Sequence, residues 1–336
     1  MHYYFKPFLL LILLFSSIAV FAQDTVKDVP TLMKEAKDLL KQRKMTEASV
    51  KFDELLKIDP VNTDALFNKG FCLLVTGKRD EALPCFEKLT TITNTLYPNA
   101  YEYMGDIYSI NREFDKATAL YSKAAALMPR NPQVWYSLGS AYLNGRKFAQ
   151  AESAEAESIK LNDHFSNNQQ FYGIAAMCQG RNAEAVLGLS THLMWAKPGD
   201  KNAAESYRLL KFMLKPNPKA TIITDPIAKM QQELLIKSAT AAVAGKTNLT
   251  PVDSLTLQLT SIFKAIKEQQ DQYGSPFFSK YYGDFFDALA ATENMDTFVH
   301  LISLNASPDN DAWLKSHPDK MTAFVNWTKN TKRQTE

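Results

Sequence analysis

Residues 98–131, PNAYEYMGDIYSINREFDKATALYSKAAALMPRN, and the next stretch, 132–165, PQVWYSLGSAYLNGRKFAQAESAEAESIKLNDHF, decide how this chain folds. Laid one over the other, they set Gly105 on Gly139, Ala117 on Ala151 and Tyr101 on Trp135. The small position continues outward as Ala36, Gly70 and Gly173, so its spacings along the chain are 34, 35, 34 and 34. Twelve residues after each small position stands an alanine: Ala48, Ala82, Ala117, Ala151 and Ala185. Self-similarity at such a period marks supersecondary units that stack on one another, because one unit alone cannot bury its apolar face.

Each unit reads as two antiparallel helices. Four residues before the small position come Leu32, Leu66, Tyr101, Trp135 and Gln169, and three after it Leu39, Leu73, Tyr108, Tyr142 and Ala176. These offsets share one stripe of a helix, and the small residue between them lets a second helix approach. Four residues after each alanine, Phe52, Phe86, Tyr121, Glu155 and Leu189 lie on that second helix. Arg43, Gly77, Arg112, Arg146 and Gly180 fall in the turns, and Pro60 and Pro129 close second helices that a proline cannot continue. The second unit carries one extra residue between Thr90 and Pro98, and the fifth has Gln169 and Ala176 where bulky apolar residues are expected.

The pattern resembles the tetratricopeptide repeat family over about half of the chain. The resemblance implies an all-α fold: an α-α right-handed superhelix of five hairpins, 29–62, 63–97, 98–131, 132–165 and 166–199. A helical C-terminal domain, 200–336, is expected to cap its open end, and Lys201 to Leu214 can be the first helix of a degenerate sixth repeat. The resemblance also implies binding to other proteins rather than catalysis. In the family the other face of the first helices lines a concave groove, which selects Met33, Lys37, Phe67, Phe71, Glu102, Asp106, Tyr136, Gln170 and Ile174 as candidate partner-binding residues. That face is either open to a partner or covered by the C-terminal domain. It lacks the alternating lysine and asparagine with which chaperone-tail clamps hold a terminal carboxylate, so that activity does not carry over.

Residues 1–22 read as a secretory signal peptide, with Lys6 before an apolar stretch from Phe8 to Phe21 and Val20-Phe21-Ala22 as the cleavage site. The apolar run is shorter than the ~20 residues of a spanning helix, so cleavage after Ala22 and a chain beginning at Gln23 are expected. Val20-Phe21-Ala22-Gln23 is similar to leaders of Gram-negative bacteria of the Bacteroidetes type, which implies the periplasm. A formal charge of +2 over 336 residues provides no field for nucleic acid or acidic lipid. Cys72, Cys85 and Cys178 are too few for a disulfide framework; Cys72 and Cys85 lie at similar heights in one hairpin and are either a bridge or two packing residues.

Beyond Gly199 the chain still reads as helical: 226–244, 250–270 opened by a capping box at Thr250 and Asp253, a helix started by Ser275-Pro276, 295–304, a helix started by Ser307-Pro308, and 318–329. Gly245-Lys246-Thr247 ends like a phosphate loop, but Thr240 stands where that loop needs glycine and a helix precedes it. No cofactor is expected. His164, His192, His300 and His317 have no ligand-spaced partner, and no serine or cysteine has a nucleophile's setting, so neither metal nor catalytic residues are expected. The aromatic run Tyr273, Phe277, Phe278, Tyr281, Tyr282, Phe285 and Phe286 is broad enough to be core. The first reading is an exported interaction or scaffold protein. The alternative is an enzyme or solute-binding protein with its site near that run and the repeats as a docking arm.

Overall fold

The computed structural model describes residues 28–93, 97–164, 166–215, 225–272 and 277–334. The leader, the loop before Pro226 and the Ser275-Pro276 helix start lie largely or wholly outside them. Among the described residues the chain is helical with no strand. Backbone packing separates two units, one up to residue 94 and one from 95 onward. The separation falls where the second repeat carries its extra residue.

The first unit holds two hairpins, α1 (Val29–Lys41) with α2 (Met45–Ile58) and α3 (Thr63–Val75) with α4 (Arg79–Thr93). Asp28 and Asn62 start the first helices by accepting from the backbone N–H of Thr31 and Ala65, which satisfies donors that the helix leaves open. A Cβ built on Gly70 would stand 2.7 Å from the Phe86 ring, so the small position receives the aromatic ring of the second helix. Phe86 is fully buried, worth about 1.5–3 kcal/mol by area removed from water. Cys72 and Cys85 are free and buried, and desolvation pushes the Cys72 thiol up to about 11. They are packing residues.

The second unit opens with three more hairpins: α5 (Pro98–Ile110) with α6 (Phe114–Leu127), α7 (Pro132–Asn144) with α8 (Phe148–Leu161), and α9 (Ser166–Cys178) with α10 (Asn182–Trp195). Gly105 meets Tyr121, Gly139 meets Glu155 and Gly173 meets Leu189 in the way Gly70 meets Phe86. All five alanines of the pattern are fully buried. The turn residues Arg43, Gly77, Arg112, Arg146 and Gly180 take positive φ, between 59° and 82°. The reason is a shared helix end: the N–H of Arg112 donates to Ser109 and that of Glu113 to Tyr108, which closes the first helix through a left-handed residue.

The C-terminal helices are α11 (Lys201–Met213), α12 (Pro226–Val243), α13 (Pro251–Gln269), α14 (Asp284–Ala290), α15 (Asn294–Ile302), α16 (Pro308–Ser316) and α17 (Pro318–Asn330). Thr250 and Asp253 form the reciprocal capping box, and Ser307 caps α16. A six-residue π-helical stretch, Phe278–Gly283, leads into α14. One apolar core runs from Ile159 and Tyr172 through α10 to Phe298 and Phe324. Gly199 therefore marks the end of the repeat pattern and not a break in the core.

Candidate functional site

In the first unit the expected face is only partly open. Met33 packs half-buried against the core of the first hairpin, and exposed Lys37 pairs with Asp64 at 3.5 Å. Phe67 and Phe71 are half-buried, and Phe67 meets Phe86 edge-on at 6.3 Å. The Phe67 ring is thus seated on the ring that fills the small position, one layer out.

In the second unit the same face carries charge. Glu102 and Asp106 stand one turn apart and half-buried on α5. Burial raises the Glu102 carboxyl, with the neighbouring Asp106 adding to the rise, and burial raises that of Asp106 despite the 2.6 Å hydrogen bond it accepts from Tyr121. Tyr136 on α7 stacks on Phe171 of α9 at 5.3 Å. Behind it, Glu155 takes the place under Gly139 that an aromatic ring fills in the first three hairpins and Leu189 in the fifth. Neither Glu155 oxygen has a hydrogen-bond partner, and burial holds the carboxyl well above the usual carboxylate range.

At the fifth hairpin the face is closed by the chain itself. Gln170 is 3 % exposed and donates to the carbonyl of Asn202 on α11, and Ile174 packs against the C-terminal core. Of these two expected partner-binding residues, Gln170 is turned to an internal bond, while Ile174 stays half-buried at the edge of that core. Gln169, the residue that breaks the apolar pattern, donates to the Tyr281 hydroxyl at 2.9 Å and accepts from that of Tyr282. The polar side chain is needed because two buried phenols require partners there. Arg181, at the turn into α10, binds Glu152 at 2.7 Å and Glu184 at 2.6 Å, both carboxylates buried.

The aromatic run is core, not a ligand surface. Phe278, Tyr281, Tyr282 and Phe286 are fully buried and Phe285 nearly so, and only Phe277 of the described members keeps partial exposure. The π-helical winding turns Tyr281 and Tyr282 inward together, which a regular helical stripe does not anticipate. No group of three or more histidine, cysteine, aspartate or glutamate residues among the described residues is arranged to hold a metal ion. Among the same residues no helix is long and apolar enough to cross a membrane.

Two cavities in the second unit lie away from the expected face. One, of about 660 Å³, is an apolar trough whose walls are Ala125 and Ala126 of α6 and Ala149 and Ala154 of α8, with Trp135 and Leu138 of α7 in its floor. The other, of about 510 Å³, lies where the ends of α8, α10 and α17 meet and is lined by Lys160, His164, Trp195, Lys329, Lys332 and Arg333 among others. Sequence reasoning missed both. The trough had a legible signal in the small residues on the outer side of the second helices, whereas the basic cavity gathers residues more than 150 positions apart and had none.

Paired helices with a small residue under a ring, a buried alanine and a left-handed turn define a helical repeat protein of the hairpin-stacking class. The tetratricopeptide repeat family model matches residues 33–99 and 104–163, and the first four hairpins of this chain are tetratricopeptide repeats. The anaphase-promoting complex subunit 3 of Schizosaccharomyces pombe is 25 % identical over 113 residues, which is 34 % of this chain and 17 % of that protein. Protein bimA of Emericella nidulans is 28 % identical over 109 residues, 32 % of this chain and 13 % of its own. The chain thus spans less than a fifth of the length of these curated relatives. Among solved structures, YrrB, described as a TPR protein with an unusual peptide-binding site, superposes with a TM-score of 0.50 at 16 % identity, covering 55 % of this chain and 94 % of that one. That likeness is one of fold.

Proposed function

We propose that this chain is an exported, non-catalytic interaction protein that binds a peptide or protein segment on the first-helix faces of its repeats. The observation that carries the reading is that the faces of α5 and α7 stay half-exposed with Glu102, Asp106 and Tyr136, while on α9 Gln170 is buried and bonded to the carbonyl of Asn202. Carboxyls held up by burial gain when a cation arrives, so the second unit suits a segment presenting a lysine or arginine beside an apolar residue. The same repeat occurring in a subunit of a multiprotein complex supports the assignment to protein binding. Export rests on the leader pattern of residues 1–22.

Peptides selected from a displayed random library on the purified chain test this directly. Glu102→Gln combined with Tyr136→Ala should weaken the selected peptides at least tenfold with little change in melting temperature, since truncating an interface aromatic costs ~2 kcal/mol or more. Selected peptides that bind the variant within twofold of the parent would place the binding surface elsewhere.

A further inference from the structure

The cavity at the meeting ends of α8, α10 and α17 is unlike the rest of this near-neutral surface. Its lining holds four fixed cations, Lys160, Lys329, Lys332 and Arg333, against one carboxylate, Asp163. Lys160 already pairs with Glu157 at 2.6 Å, and His164 lies beside Asp163. Lys329, Lys332 and Arg333 have no carboxylate partner among the described residues. Three helix C-termini contribute roughly −0.5 of a charge each at their ends, which offsets most of the surplus that remains after Glu157 and Asp163 and leaves the cavity slightly positive.

Arg333 is the informative member. Its guanidinium lies 3.8 Å from the centre of the Phe285 ring and within 6 Å of three further rings, and its Nη1 donates to Thr191 at 2.9 Å. Its Nη2 is buried with no hydrogen-bond partner. Aromatic faces stabilise a guanidinium but supply no counter-charge, so a rigidly placed cation is left facing a cavity with two mobile lysines at its rim. On the other wall Trp195 is 37 % exposed, with His164 edge-on at 4.9 Å. A volume of about 510 Å³ is several times what an inorganic oxyanion fills and falls in the range of small-molecule sites.

We infer that this cavity binds a phosphorylated small molecule: the phosphoryl group between Lys329, Lys332 and Arg333, and a flat or apolar body against Trp195. Three unpaired cations match a dianion better than a single carboxylate, and the exposed indole supplies the surface that an inorganic ion leaves unused. The inference is independent of partner binding on the first-helix faces, and either can fail alone.

Titration calorimetry of the full chain with phenyl phosphate provides the test. One equivalent should bind, and Lys329→Ala with Lys332→Ala should weaken it at least tenfold; both side chains are exposed, so the fold is retained. Lys34→Ala with Lys57→Ala, which removes the same charge from the first unit, should leave binding within twofold. Inorganic phosphate should bind at least fivefold more weakly than phenyl phosphate, and Trp195→Ala should erase that margin. The inference is overturned by the absence of saturable binding at ten millimolar ligand, by equal weakening in the two lysine pairs, or by a phenyl phosphate affinity no better than that of phosphate.

Discussion

The third and fifth hairpins are built to one plan and end up in opposite situations. In the third, Tyr121 covers Gly105 and reaches Asp106, and the outer residues of α5 stay half-exposed. In the fifth, Leu189 covers Gly173, every residue of α10 from Ala183 to Met194 is buried, Gln169 of the packing stripe is bonded to the π-helical stretch, and Gln170 of the outer face is bonded to α11. The helix geometry is the same, so the difference lies in what the polar residues are given to bind. The outer face of the third hairpin stays half-exposed although Tyr121 bonds Asp106, because no described C-terminal helix packs over it as the π-helical stretch packs on the fifth.

The largest effect that can break this comparison is at Arg181. Arg181→Met would leave Glu152 and Glu184 buried without their cation, at a cost of about 3–5 kcal/mol. Burial already raises the Glu152 carboxyl while Arg181 pulls it down, so in the variant its folded pKa rises further. The folded state then holds the proton that the unfolded chain releases, and stability falls as pH climbs from the ordinary carboxylate value through the raised one. Urea unfolding should accordingly show a smaller loss at pH 4 than at pH 7. A loss below about 1 kcal/mol at pH 7 would mean that water reaches these carboxylates and that the fifth hairpin is no more closed than the third.

A middle-sized effect is expected at Gln169. Gln169→Leu restores the apolar repeat pattern but strips the hydroxyls of Tyr281 and Tyr282 of a partner, so it should destabilise by about 1–3 kcal/mol in thermal melts. If the leucine variant is instead more stable, repeat regularity outweighs the internal contact. The smallest effect belongs to the third hairpin. Arg112 sits at φ 63°, where an L side chain is strained, and Arg112→Gly should stabilise by about 0.5–1 kcal/mol after the added freedom of glycine in the unfolded chain is counted. A decrease in the denaturation midpoint would show that the arginine side chain contributes more than its backbone strain costs.

How much of this was legible in the residues follows from the range of each interaction. The small positions, the alanines and the turns act between helices that are neighbours in sequence, so their fixed period carries them directly to Gly105 on Tyr121 and to the left-handed Arg112. Gln169 was visible as an exception, but its reason stands 112 residues away. Glu155 occupies a ring's place in the pattern without any sign that it would be buried and unpartnered. Of the expected face, Glu102, Asp106, Tyr136 and Ile174 remain half-exposed, while Gln170 is taken by a bond to α11 that no local pattern announces.

The bond from Gln169 to Tyr281 and Tyr282 also sets an order in time. Hairpins three and four are held by sequence neighbours, so each can close as soon as its own two helices are free to pair. The fifth hairpin is completed only when a segment 112 residues later joins it. Until that segment arrives, Gln169 and the apolar residues that α9 and α10 give to the shared core lack their cover, so the C-terminal helices act as the last piece to close the array.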